Sequence, residues 1–169
     1  ARSARGERLA VLTNAGALGI LTADALGHHG GALATLSETT MAALNEFLPA
    51  GWSQGNPVDI GGHASAERYA QALRVLLAAS EVDAVTVMHA PMALTSPIEI
   101  AKAVAEVARI AGRSKAVNTC WVGDSSVEAA RHLFEAAHIP SYESPEQAVR
   151  AFMHLVQYRR NQEILMQTP

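Results

Sequence analysis

Apolar residues along the chain fall into short unbroken runs, separated by longer stretches in which they recur every three or four positions. Short apolar runs bounded by turn formers read as buried strands, and the longer spacing reads as one face of a helix. On that basis 8–13 is a strand and 17–29 a helix, which Gly30 and Gly31 stop by accepting a left-handed cap. A short strand over 32–36 follows. Ser37 then caps a helix over 38–48, with Met41, Leu44, Phe47 and Leu48 on its apolar face. A turn-rich loop holding Trp52 leads to an extended piece over 57–60, closed by Gly61 and Gly62. Ser65 caps a helix over 66–79 with Tyr69, Leu73, Leu76 and Leu77 inward.

The second half continues the alternation. Residues 84–88 are the clearest central strand, and 89–95 form a loop. Ser96, Pro97 and Glu99 then supply a cap, a first-turn proline and a capping box for a helix that ends at Gly112. A strand over 115–122 precedes a second capping box, Ser125 with Glu128, and a helix to His138. Residues 139–142 are the last strand, and Ser144-Pro145-Glu146-Gln147 opens a final helix to about Ile164. Short strands alternating with helical crossovers imply an α/β fold: a doubly wound parallel sheet in a three-layer α/β/α sandwich. Ligands of such sheets gather at the carboxyl ends of the strands. The loops expected there are 13–19, Ser37 and its neighbours, 89–95 and 123–126. Gly61-Gly62-His63 joins them if the strand before it lies alongside.

Composition narrows the function classes. The length suits one domain over 8–164, flanked by linkers at 1–7 and 165–169, the second leading to a further domain of a longer protein. Thirteen basic and 16 acidic residues give a net charge of −3, with no basic block of the kind that binds nucleic acid. No apolar run approaches the ~20 residues of a membrane span. Cys120 is the only cysteine, which suggests a reduced buried thiol and a cytoplasmic setting. No histidine pair has metal-site spacing, so no metal is expected. A G-x-S-x-G elbow, a Walker A ending and the acidic pair of a phospho-aspartate switch are all missing.

The candidate chemistry sits in Thr13-Asn14-Ala15-Gly16-Ala17-Leu18-Gly19, between the first strand and the first helix. The first N–H groups of a helix have no internal acceptor, and the dipole adds positive charge there. Phosphate or carboxylate binding is one reading; a tight turn that lets helix pack on sheet is the other, and spacing alone leaves them level. His63 and His89 fall in loops at the same edge and are candidate supporting contacts. Asp59 is expected to hold its own loop by bonding nearby N–H groups.

Three segments resemble the NDP-forming acyl-CoA synthetases: residues 6–16, Gly55-Asn56-Pro57-Val58-Asp59-Ile60, and Ala66-Glu67-Arg68-Tyr69. Tyr158-Arg159-Arg160-Asn161-Gln162 is similar to the stretch before their ATP-grasp part, and the 33–37 segment looks most like the branch of bacterial lysine acetyltransferases that carries a fused GNAT domain. The resemblance implies a flavodoxin-like ligase-CoA domain. It also implies that Asn14, Ala15, Gly16, Ala17, Leu18 and Gly19 face a phosphohistidine or acyl phosphate, with Asp59, Gly61, Gly62, His63 and His89 in support. The reacting histidine belongs to a neighbouring domain, so this domain holds no catalytic residue and no tightly bound cofactor. CoA and ATP or ADP are implied for the whole protein. The implied partners are its CoA-binding, phosphohistidine-bearing and ATP-grasp domains, with a homo-oligomer also compatible. Two other readings are an acyl-CoA-sensing module of an acetyltransferase and a stand-alone binder of a small anion.

Overall fold

The computed structural model describes residues 6–167. Strands and helices alternate: β1 (Arg8–Thr13), α1 (Gly16–His28), β2 (Ala32–Leu33), α2 (Glu38–Asn45), β3 (Val58–Asp59), α3 (Ala66–Ala78), β4 (Ala84–His89), α4 (Pro97–Ala111), β5 (Ala116–Trp121), α5 (Glu128–Ala136), β6 (Ser141–Tyr142) and α6 (Pro145–Gln167). The strands form one parallel sheet in the order β2-β1-β4-β5-β6, with β3 also on β1. β4 pairs with β1 from Leu9 to Thr13, so β2 and β3 share the opposite edge. β2 lies beside Arg8 and Leu9, and β3 beside Leu12 and Thr13. Counted as one position, the two give the flavodoxin-type order that the resemblance implies.

The gap between β2 and β3 is closed by a side chain. Asn56 accepts the Val11 N–H at 2.9 Å and donates to the carbonyls of Leu9 and Ala34, each at 2.9 Å. Its carboxamide imitates a strand peptide. The strand expected over 32–36 therefore stops at Leu33, because after Ala34 the edge of β1 is occupied by Asn56.

Side chains alternate across the sheet and build two cores. Leu12, Val85, Val87 and Trp121 meet Leu73 and Leu76 of α3, Ile100 and Val104 of α4, and Phe134 of α5. Leu9, Val11, Met88 and Cys120 meet Leu26 of α1 with Val149, Phe152 and Val156 of α6. Each large side chain so buried contributes ~1.5–3 kcal/mol before the entropy of ordering it. Burial pushes the Cys120 thiol up to about 12, which makes it inert.

The helix expected over 38–48 ends at Asn45, and three other local expectations change. Asp124, not Ser125, caps the start of the fifth helical segment by accepting the Ser126 N–H at 3.1 Å. That forms a single 3-10 turn, Ser125–Val127, before α5. His138 is not helical; it follows α5 with φ 56°. The last helix runs three residues past the expected boundary, to Gln167. Residues 1–5, 168 and 169 of the expected linkers lie outside the described residues.

Candidate functional site

β1 delivers Thr13 and Asn14 to the carboxyl edge of the sheet, and both are buried. The Thr13 hydroxyl closes the turn onto Ala15, accepting its N–H at 3.0 Å and donating to its carbonyl at 3.1 Å. The Asn14 carboxamide binds the neighbouring loops together. It accepts the Ala90 N–H at 2.8 Å and donates to Ala90 O at 2.8 Å and Gly62 O at 3.4 Å. Both amide hydrogens are thereby engaged with protein carbonyls. Gly123 stands against Pro91, which brings the 123–126 loop to the same edge. Ser37 does not join them: its N–H and the Thr40 hydroxyl bond to Glu81, just before β4 at the other end of the sheet. β2 is too short to carry Ser37 to the carboxyl edge.

Gly16 and Gly19 serve packing. A Cβ at Gly19 would lie 3.0 Å from Pro57 Cβ, and one at Gly16 would lie 3.0 Å from Asp59 Oδ2. Small residues here let β3 and its loop approach α1 closely. The same helix start is chemically open. Gly19 is the first to bond back, to Ala15 O at 3.3 Å. Helix geometry leaves the N–H groups of Gly16, Ala17 and Leu18 without an internal acceptor. Ala15 at the cap position offers no side-chain acceptor, and the first turn holds no acid. α2, α3 and α4 differ: Ser37, Ser65 and Ser96 accept from Thr40, Arg68 and Glu99, and each first turn carries a glutamate.

Asp59 holds its loop as expected, with Oδ1 accepting the Gly61 N–H at 3.0 Å. Its other oxygen faces Gly16, so an anion arriving at α1 meets one carboxylate as well as three N–H groups. His63 is exposed on the adjoining loop. Arg68 donates to Ile60 O at 3.1 Å and braces that loop from α3. The His89 side chain does not face the carboxyl edge. His89 is the last residue of β4 and fully buried, 5.5 Å from the Trp121 ring and 5.9 Å from the Tyr69 ring. Its Nδ1 lies 3.2 Å from the Tyr69 hydroxyl, which itself donates to Met88 O at 2.9 Å. Burial pushes its pKa down to about 4, so the ring is neutral at pH 7.

Two features leave little trace in the sequence. One is the Asn56 bridge, whose only trace is an Asn before Pro57. The other is that α1 is apolar nearly all round, with Ile20 and Leu21 exposed at 64% and 55% beside the open terminus. Among the described residues no group of three or more His, Cys, Asp or Glu can hold a metal, and no helix is long and apolar enough to cross a membrane.

The ligase-CoA domain model matches residues 9–165. An acetate–CoA ligase [ADP-forming] I of Archaeoglobus fulgidus is 36% identical over 152 residues, covering 90% of this chain and 21% of that protein. The alpha subunit of acetate–CoA ligase [ADP-forming] II from Pyrococcus furiosus is 35% identical over 160 residues, covering 93% of this chain and 35% of that one. The apo structure of a dinucleotide-forming acetyl-coenzyme A synthetase 1 from Ca. Korarchaeum cryptofilum superposes with a TM-score of 0.92 at 33% identity, covering 98% of this chain and 36% of that chain. The same enzyme in complex with phosphate and ADP gives a TM-score of 0.91. The chain thus spans between a fifth and somewhat over a third of the length of these relatives. They are ligases and synthetases, and they lend no support to the acetyltransferase branch.

Proposed function

The chain belongs to the ligase-CoA domain family, and from that premise we propose that it works as one domain of an ADP-forming acyl-CoA ligase, presenting the open start of α1 to a phosphoryl group. That group arrives on a histidine or as an acyl phosphate, held by another domain of the whole protein. The observation that carries this reading is the contrast at the helix starts: α2, α3 and α4 are closed by a serine and a glutamate, and α1 by neither. Three N–H groups fixed by the helix stabilise charge without reorganising as it develops. Ala17 and Leu18 do not weaken the site, because the donors are backbone.

The division of labour follows from the contacts. Asn14 and Asp59 set the loop positions, and Gly16 and Gly19 let the helix start sit close to β3. Asp59 raises the cost of a bare dianion here, which favours a phosphoryl group whose carrier brings an N–H or a proton. CoA and ATP or ADP are substrates of the whole protein in this reading, and the chain supplies no nucleophile to the transfer.

The test is an amide-resolved NMR titration of the 169-residue chain with inorganic phosphate and with phosphoramidate as a stand-in for phosphohistidine. Saturable shifts centred on Gly16, Ala17 and Leu18 are expected. Shifts centred elsewhere, or none at tens of millimolar ligand (on the order of the weakest useful binding), would overturn it. The chain by itself is expected to make no ATP from acetyl-CoA, ADP and phosphate.

A further inference from the structure

The two faces of the sheet are not filled alike. Toward α3, α4 and α5 the central strands present Val85, Val87, Val117 and Trp121. Toward α1 and α6 the same strands begin with Ala84 and Thr86 on β4, and Ala116 and Asn118 on β5. Interior strands of a parallel sheet ordinarily carry large apolar side chains on both faces. α6 makes up only part of the difference, because Ala148 and Ala151 stand beside Phe152 and Leu155 here. The shortfall is a cavity of about 290 Å³ between α6 and the amino-terminal halves of β1, β4 and β5. Leu9, Ala84, Ala116 and Phe152 are buried walls of it, and Tyr142 lines it from β6.

Four polar side chains line the same space: Tyr142 and the exposed His138 stand toward its mouth, and Thr86 and Asn118 at its floor. Thr86 is fully buried and donates to Asn118 Oδ1 at 2.6 Å, while Asn118 donates to Ala148 O at 3.0 Å. This pairing orients Asn118 and leaves one of its N–H groups as a donor. Among the described residues no acid, lysine or arginine lines the cavity. The space is open to solvent past His138 and Pro140, which are exposed at its mouth. Apolar cavities of roughly 150 Å³ take up benzene, and the walls here offer water few partners.

We propose that this cavity binds a neutral, largely apolar small molecule with a single hydrogen-bonding group, of the phenol or carboxamide type. Its apolar body lies against Ala116, Tyr142 and Leu155, and its polar group meets Asn118. The volume sits at the lower end of the ~300–1,000 Å³ typical of ligand sites, which fits a single ring and excludes a nucleotide. The cavity opens at the amino end of the strands, so a ligand in it leaves the start of α1 free.

The experiment uses the 169-residue chain with p-cresol and benzamide as probes and benzoate as the charged control. Two-dimensional NMR and thermal melting are the readouts. Saturable shifts at Asn118, Phe152 and Leu155 and a raised Tm are expected with both probes, and none with benzoate. Thr86→Val, which removes the hydroxyl that orients Asn118, should weaken benzamide about fivefold, the worth of one hydrogen bond. Ala151→Leu, which fills the space, should raise the Tm without ligand and weaken both probes more than about tenfold. If Ala151→Leu fails to fold, Ala116→Val makes the same test. The proposal is overturned if neither probe gives saturable shifts in the wild-type chain, if benzoate binds equally, or if a folded, filled variant binds the probes as well as wild type.

Discussion

The start of α1 and the starts of α3 and α4 lie on one edge of one sheet, yet they are finished in opposite ways. At α3 and α4 a serine accepts an orphan N–H, a glutamate meets the dipole, and an aromatic floor seals the space beneath. That floor is Tyr69, His89 and Trp121, with Trp121 Nε1 donating to Pro97 O at 3.3 Å. At α1 the cap position is alanine, the first turn has no acid, and the terminus is exposed at Gly16 and Ala17. A helix start that has only to be stable is closed by its own side chains. The start of α1 is left open beside two closed ones, and on the proposed reading its donors serve a phosphoryl group from outside the domain. The substitutions and conditions below probe that contrast.

The largest effect is expected from acid, on the closed side. His89 is neutral in the fold with a pKa near 4, against an ordinary 6.5. The unfolded chain therefore binds one more proton than the fold between those values, and stability falls as pH drops from 6.5 to 4. The loss is about 3 kcal/mol, complete once pH is below the folded value. Glu81, held down to about 2 by Thr40 and Ser37, adds its own loss only below its ordinary 4.5. Urea unfolding across pH 7 to 4 measures the first window, and His89→Phe should flatten it. An unchanged slope in that variant would place the acid sensitivity elsewhere.

Next comes the join between the two sides. Asn14→Ala leaves Ala90 N–H, Ala90 O and Gly62 O without the partners they now have. About 2 kcal/mol of destabilisation is expected, the cost of partly buried polar groups left unpaired. Amide exchange should quicken at 61–63 and 89–91 and stay slow in α5. Smaller again, Ser65→Ala or Ser96→Ala should each cost about 1 kcal/mol in chemical denaturation, with no effect on phosphate binding. A loss of phosphate shifts at α1 in either variant would show that the two sides are not independent.

Much of this contrast is legible in the chain. Ser65 and Ser96 stand just before helical spacing with a glutamate in the following turn, so their caps follow from local chemistry. The openness of α1 is equally local, since Ala15 cannot cap. What is not legible depends on residues far apart. β2 ends early because Asn56, 22 residues beyond Ala34, takes its place on β1. His89 looks like a loop residue, yet β4 keeps its pairing with β5 through Trp121 and carries His89 into the core. Asn14 reads as a free donor until the fold sets Gly62 and Ala90 beside it. In each case a polar side chain is claimed by backbone or rings from another segment, and period and spacing carry no record of that.

The smallest change is the most discriminating. Ala15 has extended backbone, φ −135° and ψ 112°, the conformation of a helix cap. Ala15→Ser places a hydroxyl where it can accept the Ala17 or Leu18 N–H, as Ser65 and Ser96 do for their helices. The carboxylate of Asp59 beside Gly16 makes serine a better choice than aspartate, which would set two like charges together. If α1 is open only because nothing selected against it, the variant gains about 0.5 kcal/mol and phosphate binding is unaltered. If its N–H groups are the site, the same gain in stability comes with a weaker response to phosphate, because the new hydroxyl competes for the same donors. Stability and binding then move in opposite directions in one substitution. Denaturation and the phosphate titration, run on the same sample, read both.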